Sequence, residues 1–122
     1  MNTSKTIEFL RHIYTKTRNG ELDWIPLYED KNLQSIFKDL LPNFSFYTMI
    51  NNGVIVIGSL EFPDNLTVEF QPLNKPVYNI FSFIDFDEED SDSAYSYLNR
   101  IYDLISSNNS PADDFVDAFL QS

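Results

Sequence analysis

The sequence predicts an α+β fold, in which an antiparallel β-meander of about four strands packs with N-terminal and C-terminal helices. Three patterns support this: apolar residues at helical spacing near both ends, β-rich stretches flanking Asn52-Gly53, and alternation over residues 65–71. With 122 residues, the chain is long enough to bury a core. We expect a single domain over residues 1–106. Residues 107–122 are expected to form a short linker and an acidic amphipathic helix, which packs on this domain or docks on a partner.

The first predicted helix covers residues 4–17. Its apolar side chains share one face: Ile7, Phe9, Leu10, Ile13 and Tyr14. Asn19-Gly20 ends this helix, because glycine readily adopts the left-handed conformation that follows a helix C-terminus. Residues 21–27 then predict an edge strand, with Trp24 packed under the first helix and Pro26 unable to donate a ladder hydrogen bond.

A second helix is predicted over residues 30–41, with Asp30 as its N-cap. The Asn52-Gly53 pair predicts a hairpin with a type I′ turn, which requires positive φ at both central residues. In that register Met49 faces Val56, and both faces of the hairpin are largely apolar. Helices would cover one face. The other face needs a further element of this chain or another protein, and a homodimer is one way to supply it.

Residues 65–71 predict a third strand, and residues 77–86 a fourth. In the third strand the alternation predicts that Leu66, Val68 and Phe70 face inward, and that Thr67, Glu69 and Gln71 face solvent. Two helices are predicted to follow, over residues 93–106 and 112–120. The last one starts after Ser110-Pro111, an N-cap followed by proline at the first helical position.

Familiar catalytic arrangements are missing from the sequence. The chain has no cysteine, three glycines and one histidine, His12, on the polar side of the first helix. These counts leave no zinc set of cysteines and histidines and no phosphate-binding glycine loop, and no serine lies in a nucleophile elbow. We therefore expect a protein that is not an enzyme and binds no cofactor, and we expect a structural or surface role for His12.

The charge distribution favours some partners over others. The formal net charge is −11, and residues 85–122 carry ten acidic groups against Arg100 alone, a net of −9. Such a charge opposes direct binding to nucleic acid or anionic membranes and favours a basic protein partner. The sequence shows neither the apolar core of a signal peptide nor a membrane-spanning run, so we expect a cytoplasmic protein.

Residues 85–92 are expected to form an acidic surface: Asp85, Asp87, Glu88, Glu89, Asp90 and Asp92. The spacing lacks the central glycine and final glutamate of an EF-hand, which favours a solvated loop over a metal site. Two alternatives stay open. The carboxylates could mimic backbone phosphates and inhibit a DNA- or RNA-binding protein, or the run could bind a divalent cation.

Residues 17–24, TRNGELDW, resemble a T-x-x-G-x-L-x-W opening that is found in small uncharacterised bacterial and phage α+β proteins. In those proteins a strand, an Asn-Gly turn and a second strand follow, similar to residues 46–55. A third strand and a closing helix come next, similar to residues 66–70 and 95–105. The resemblance implies no activity. It suggests a bacterial or mobile-element origin, where small acidic proteins often act by binding another protein.

The last predicted helix is the best candidate for a binding element. It combines acidic with apolar side chains, and so fits a basic-rimmed apolar groove. The predicted partner-binding residues are Asp113, Asp114, Phe115, Asp117, Phe119 and Leu120. The alternative is that Phe115 and Phe119 fold back onto the chain's own core. We expect a small acidic cytosolic interaction module that acts without catalysis.

Overall fold

The computed structural model describes residues 3–60, 66–80, 88–108 and 111–122, with side-chain positions for residues 4–60, 66–80, 94–107 and 115–122. Five antiparallel strands form one sheet in chain order: β1 (Ile25–Pro26), β2 (Phe46–Ile50), β3 (Gly53–Ser59), β4 (Leu66–Pro72) and β5 (Tyr78–Asn79). The helices are α1 (Thr3–Arg18), α2 (Lys31–Ile36), α3 (Glu88–Asn108) and α4 (Pro111–Leu120). The predicted α+β class, with a meander between terminal helices, is confirmed.

A Schellman motif fixes the C-terminus of α1. Gly20 adopts a left-handed φ of 74°. Its amide donates to the Thr17 carbonyl at 3.1 Å, and the Glu21 amide donates to the Lys16 carbonyl at 2.9 Å. The predicted end of the helix at Asn19-Gly20 is thereby confirmed, and the chain turns toward β1.

The helices α1 and α3 pack on one face of the sheet and form the larger core. Leu10 and Ile13 come from α1, and α3 contributes four buried residues spaced at helical intervals. Those four are Ala94, Leu98, Ile101 and Ile105. Trp24 is buried in the same core, as predicted.

The opposite face of the sheet is covered by the chain itself. Leu27, Phe37 and Leu40 pack against residues of β2 and β3 in a second core. The sheet residues in this contact are Tyr47, Val54 and Val56. The second apolar face of the hairpin is therefore covered here without a second copy of the chain.

Helix α2 is shorter than the predicted helix over residues 30–41. Its N-cap is confirmed, since Asp30 Oδ1 accepts a 3.0 Å hydrogen bond from the Leu33 amide. The helix ends at Ile36, and the next residue, Phe37, has φ −101° and ψ 52°. Leaving the helical path lets both Phe37 and Leu40 reach the sheet, where they are almost fully buried. Tertiary packing overrides the helical pattern at this point.

The β2–β3 hairpin forms, but its turn lies one residue earlier than predicted. Asn51 and Asn52 form the turn, and Ile50 pairs with Gly53. Neither asparagine has the positive φ of a type I′ turn. Met49 accordingly faces Val54 instead of Val56. Because partners shift by two positions, each side chain keeps its predicted face.

Close contact with β4 explains the glycine at position 53. Its φ of 151° is one that side-chain-bearing residues rarely adopt. A β carbon built there would lie 2.1 Å from the Gln71 carbonyl oxygen and 2.9 Å from the Pro72 Cα. Gly53 is therefore required within the strand, where β4 passes close by, and not for a type I′ turn.

Two residues of β4 that were predicted to face solvent are buried. Thr67 is fully buried and Glu69 is 7% exposed. They pair with Gly58 and Val56 of β3 and so lie on the face that the second core covers. The alternation predicts that one face of β4 meets solvent, whereas both faces of β4 are covered in the fold.

Strand β5 is also shorter than the predicted fourth strand over residues 77–86. Only Tyr78 and Asn79 pair with β4, and residues 81–86 of that prediction lie outside the described residues. In the described part of the chain, no helix has both the length and the apolar composition that a bilayer crossing requires.

Candidate functional site

Helix α4 carries the predicted partner-binding residues. It begins at Pro111, so its first turn contains Asp113 and Asp114, whose acidic groups favour a helix N-terminus. At the other end, the Ser122 hydroxyl donates to the Phe119 carbonyl at 2.7 Å, and the Gln121 amide donates to the Asp117 carbonyl at 3.1 Å. Both bonds satisfy carbonyls that a helix end leaves unpaired.

The apolar side chains of α4 lie in solvent. Phe115, Phe119 and Leu120 are 73%, 72% and 74% exposed, and Val116 is 49% exposed. We call these four residues the α4 stripe. Residues four apart fall on one side of a helix, so Phe115 lies beside Phe119 and Val116 beside Leu120. The alternative in which Phe115 and Phe119 fold back onto the core is not the arrangement observed.

Burying the α4 stripe would stabilise a complex substantially, because its side chains are exposed in the monomer. Fully burying one large apolar side chain contributes about 1.5–3 kcal/mol. Asp117 is exposed beside the stripe, and α4 contains three acidic groups and no basic one. The helix thus presents apolar anchors together with negative charge, the combination that an apolar groove with a positive rim would bind.

Residues 88–92 of the acidic run are helical and do not form a loop. Glu88, Glu89, Asp90 and Asp92 belong to the first turns of α3, which starts five residues before the predicted helix. Asp85 and Asp87 lie outside the described residues. Acidic residues are favourable at a helix N-terminus, which accounts for the earlier start.

No group of three or more acidic or histidine side chains converges on a metal-sized site within the described residues. His12 is exposed on α1, in agreement with the predicted surface position. Its neighbours belong to a groove that the sequence did not predict.

This groove lies between α1 and the tip of the β2–β3 hairpin, and we call it the hairpin groove. It has a volume of about 430 Å³. His12 and Lys16 contribute from α1, Met49 and Ile50 from the end of β2. The remaining lining residues are Ile13, Glu21, Leu22, Asn51, Asn52 and Ile55. Met49 and Ile50 are 64% and 41% exposed, so the groove exposes apolar surface.

A smaller apolar depression of about 120 Å³ adjoins the hairpin groove. The two share Ile50, Asn52 and Ile55, and the depression extends to Phe9 of α1 and Phe70 of β4. The rings of Phe9 and Phe70 pack with their centroids 5.4 Å apart and their planes tilted by 36°. Together the groove and the depression form one continuous surface around the hairpin tip, with an apolar floor.

The helix beside this surface is basic. Residues 3–18 carry Lys5, Arg11, Lys16 and Arg18 against Glu8, a net of +3 in a chain of net charge −11. Lys16 Nζ lies 4.0 Å from Glu21 across the groove rim, and both side chains are well exposed. An exposed pair of this kind contributes little, so Lys16 can exchange Glu21 for another carboxylate at small cost.

Arg11 is held toward α3. Its Nε donates to the Tyr97 hydroxyl at 3.1 Å, and its guanidinium lies 5.7 Å from the centre of the Tyr97 ring. The Arg100 guanidinium lies at the same distance from that ring. Tyr97 thus gathers two cations at the α1–α3 junction by cation–π attraction.

The sequence pattern predicts α4 as a candidate binding helix but predicts no groove. Two features of the sequence belong to the hairpin groove: Lys16 of α1, and the apolar Met49 and Ile50 directly before a turn. Neither feature by itself predicts a groove, because residues 12–22 and 49–55 come together only in the folded chain.

Glu69 is a buried carboxyl group with a shifted pKa. Burial raises its pKa above the ordinary value, the hydrogen bond from Asn79 lowers it, and Asp39 raises it. Asn79 Nδ2 lies 3.2 Å from Glu69 Oε2 and 3.0 Å from Thr67 Oγ1. This network joins β5 to β4, so we assign it a structural role at the sheet edge.

Comparisons with protein-family models, curated proteins and solved structures found no match.

Proposed function

We propose that this protein is a small acidic interaction module of bacterial or mobile-element origin, which acts in the cytoplasm by binding another protein through α4 and performs no catalysis. The observation that carries the proposal is the exposed α4 stripe. Three of its four side chains are more than 70% exposed, although a soluble monomer gains free energy by burying such groups.

The mode of binding we propose is helix in groove. The stripe supplies the apolar anchors, and Asp117, with the two aspartates of the first turn, supplies charge for a basic rim. Electrostatic complementarity of this kind accelerates encounter and selects the partner, while the buried anchors supply most of the affinity.

Affinity capture from the native host tests the proposal. The wild-type chain should retain a partner at near-stoichiometric amount, and a Phe115→Ser/Phe119→Ser variant should lose it. Tyr28→Ser is the matched control, because Tyr28 is a 50% exposed aromatic residue away from α4. A partner retained equally by the wild type and the α4 variant would refute the proposal.

A further inference from the structure

The hairpin groove and the α4 stripe are complementary surfaces on the same chain. The groove has an apolar floor beside a helix of net charge +3, and α4 has an apolar stripe and a charge of −3. We propose that the hairpin groove is the receptor for α4 of a second copy, so that the chain self-associates by reciprocal exchange of α4 helices. This inference rests on the proposed function and names its partner.

The chain's own α4 does not fill the groove. Its described side chains, from Phe115 onward, are all exposed, and Met49 and Ile50 in the groove are exposed as well. Both halves of the contact are therefore available on one molecule. A second copy can occupy the groove of the first and offer its own groove in return, which closes a two-fold dimer.

Charge selects α4 over the other acidic surface. Most carboxylates of the chain repel a second copy, whose net charge is also −11. Association therefore requires a local positive surface. Lys16 of α1 lines the groove opposite Glu21, and Lys5 and Arg11 line the adjoining face of the same helix beside Glu8. Helix α3 begins with a dense acidic run but exposes no comparable apolar stripe among its described side chains, where Tyr95 is the large hydrophobic residue most exposed.

Anchors and charges are expected to contribute differently. Phe119 and its neighbours would enter the apolar floor formed by Ile50 and Ile55, and their burial would hold the complex together. Asp117 would approach Lys16 at the rim and displace its weak contact with Glu21, which fixes the orientation of the helix.

Single substitutions separate these contributions. Phe119→Asp should abolish self-association over the concentration range in which the wild type associates. Lys16→Glu replaces attraction by repulsion at the rim and should weaken self-association by about tenfold. Asp117→Lys should weaken it to a similar extent. The controls are Tyr28→Ser and Lys31→Glu, an aromatic loss and a charge reversal on exposed residues outside the groove and α4.

Mixing two weakened variants gives the decisive measurement. When Lys16→Glu and Asp117→Lys chains are combined, a mixed dimer has two contacts. In one contact, the groove whose charge is reversed binds the α4 helix whose charge is reversed. In the other contact, the groove and the α4 helix both keep their wild-type charges. Sedimentation velocity at a fixed ionic strength of about 0.15 M should then show a heterodimer of near wild-type affinity. Fixed ionic strength is needed because salt screens the global repulsion as well as the local attraction.

Three outcomes would overturn the inference. A wild-type chain that stays monomeric at every concentration excludes exchange of α4. Self-association that Lys16→Glu leaves unchanged, or a mixture that fails to recover affinity, assigns the receptor elsewhere. If Phe119→Asp still abolishes binding in that case, the proposed function of α4 stands while the hairpin groove is excluded as its receptor. If Phe119→Asp leaves association unchanged, α4 is not the binding element of that association.

Discussion

The indole nitrogen of Trp24 donates a 3.0 Å hydrogen bond to the hydroxyl oxygen of Thr17, and both side chains are buried. Thr17 is the penultimate residue of α1, and Trp24 lies directly before β1. The bond therefore ties the helix end to the first strand across the left-handed turn at Gly20. The first and last positions of the T-x-x-G-x-L-x-W segment thus have a structural role in this chain.

Thr17→Val should destabilise the protein by about 1–3 kcal/mol, because it leaves the buried indole N–H without a partner. Thr15→Val is the matched control. The Thr15 hydroxyl also donates a hydrogen bond, to the Arg11 carbonyl at 3.0 Å, but at an exposed position. Thr15→Val should therefore lower the free energy of unfolding by no more than about 0.5 kcal/mol. Urea unfolding of both variants measures the difference. Equal losses would contradict a special role for the Thr17–Trp24 bond.

Local signals in the sequence predicted the parts of the fold that depend on local chemistry. The end of α1 at Gly20 and the N-cap at Asp30 each rest on hydrogen bonds to residues three to five positions away. The hairpin register, by contrast, depends on β4, whose backbone leaves no room for a side chain at Gly53. Such distant contacts leave no mark in the neighbouring sequence.

The same division holds for the candidate site. The bounds of α4 were predicted within one residue, since Pro111 and the following aspartates are direct helix-start signals. The burial of Glu69 and the hairpin groove were missed, because each is formed by segments far apart in the chain. The sequence pattern predicts α4 and its candidate binding residues, whereas the hairpin groove is visible only in the fold.

Gly53→Ala should destabilise the protein more than the same change at Gly20. Both glycines have positive φ, 151° and 74°, so each variant strains the backbone, at a cost of about 1 kcal/mol for Gly20. At Gly53 the β carbon would also collide with the Gln71 carbonyl, and the total loss should reach at least about 2 kcal/mol. Thermal unfolding compares the two variants. Equal losses would show that β4 yields to the added methyl group.

Glu69→Gln should change how stability depends on pH. The pKa of Glu69 in the folded state is raised above its ordinary 4.5, chiefly by burial. At pH values between the ordinary pKa and the folded pKa, the folded state therefore binds more protons than the unfolded state. Stability from this group is then highest in acid, falls as pH rises from about 4.5 through the folded pKa, and is constant above it. Glutamine does not titrate and can still accept the hydrogen bond from Asn79.

Urea unfolding at a series of pH values checks this prediction. The free energy of unfolding of the wild type minus that of Glu69→Gln should decrease with rising pH in that window, whereas other groups contribute equally to both proteins and cancel. Parallel curves for the two proteins would mean that the Glu69 carboxyl titrates alike in the folded and unfolded chains.

Deleting residues 109–122 should leave the melting temperature within about 2 °C of the full chain. The described side chains of α4 are all exposed, so their removal forfeits little buried apolar surface. Ile105→Ala in α3 gives the scale of a true core loss, since Ile105 is fully buried and such a truncation costs about 2–5 kcal/mol. A drop in melting temperature comparable to that of Ile105→Ala would mean that the stripe is buried on the chain's own core in solution, which would remove the basis for α4 as a docking element.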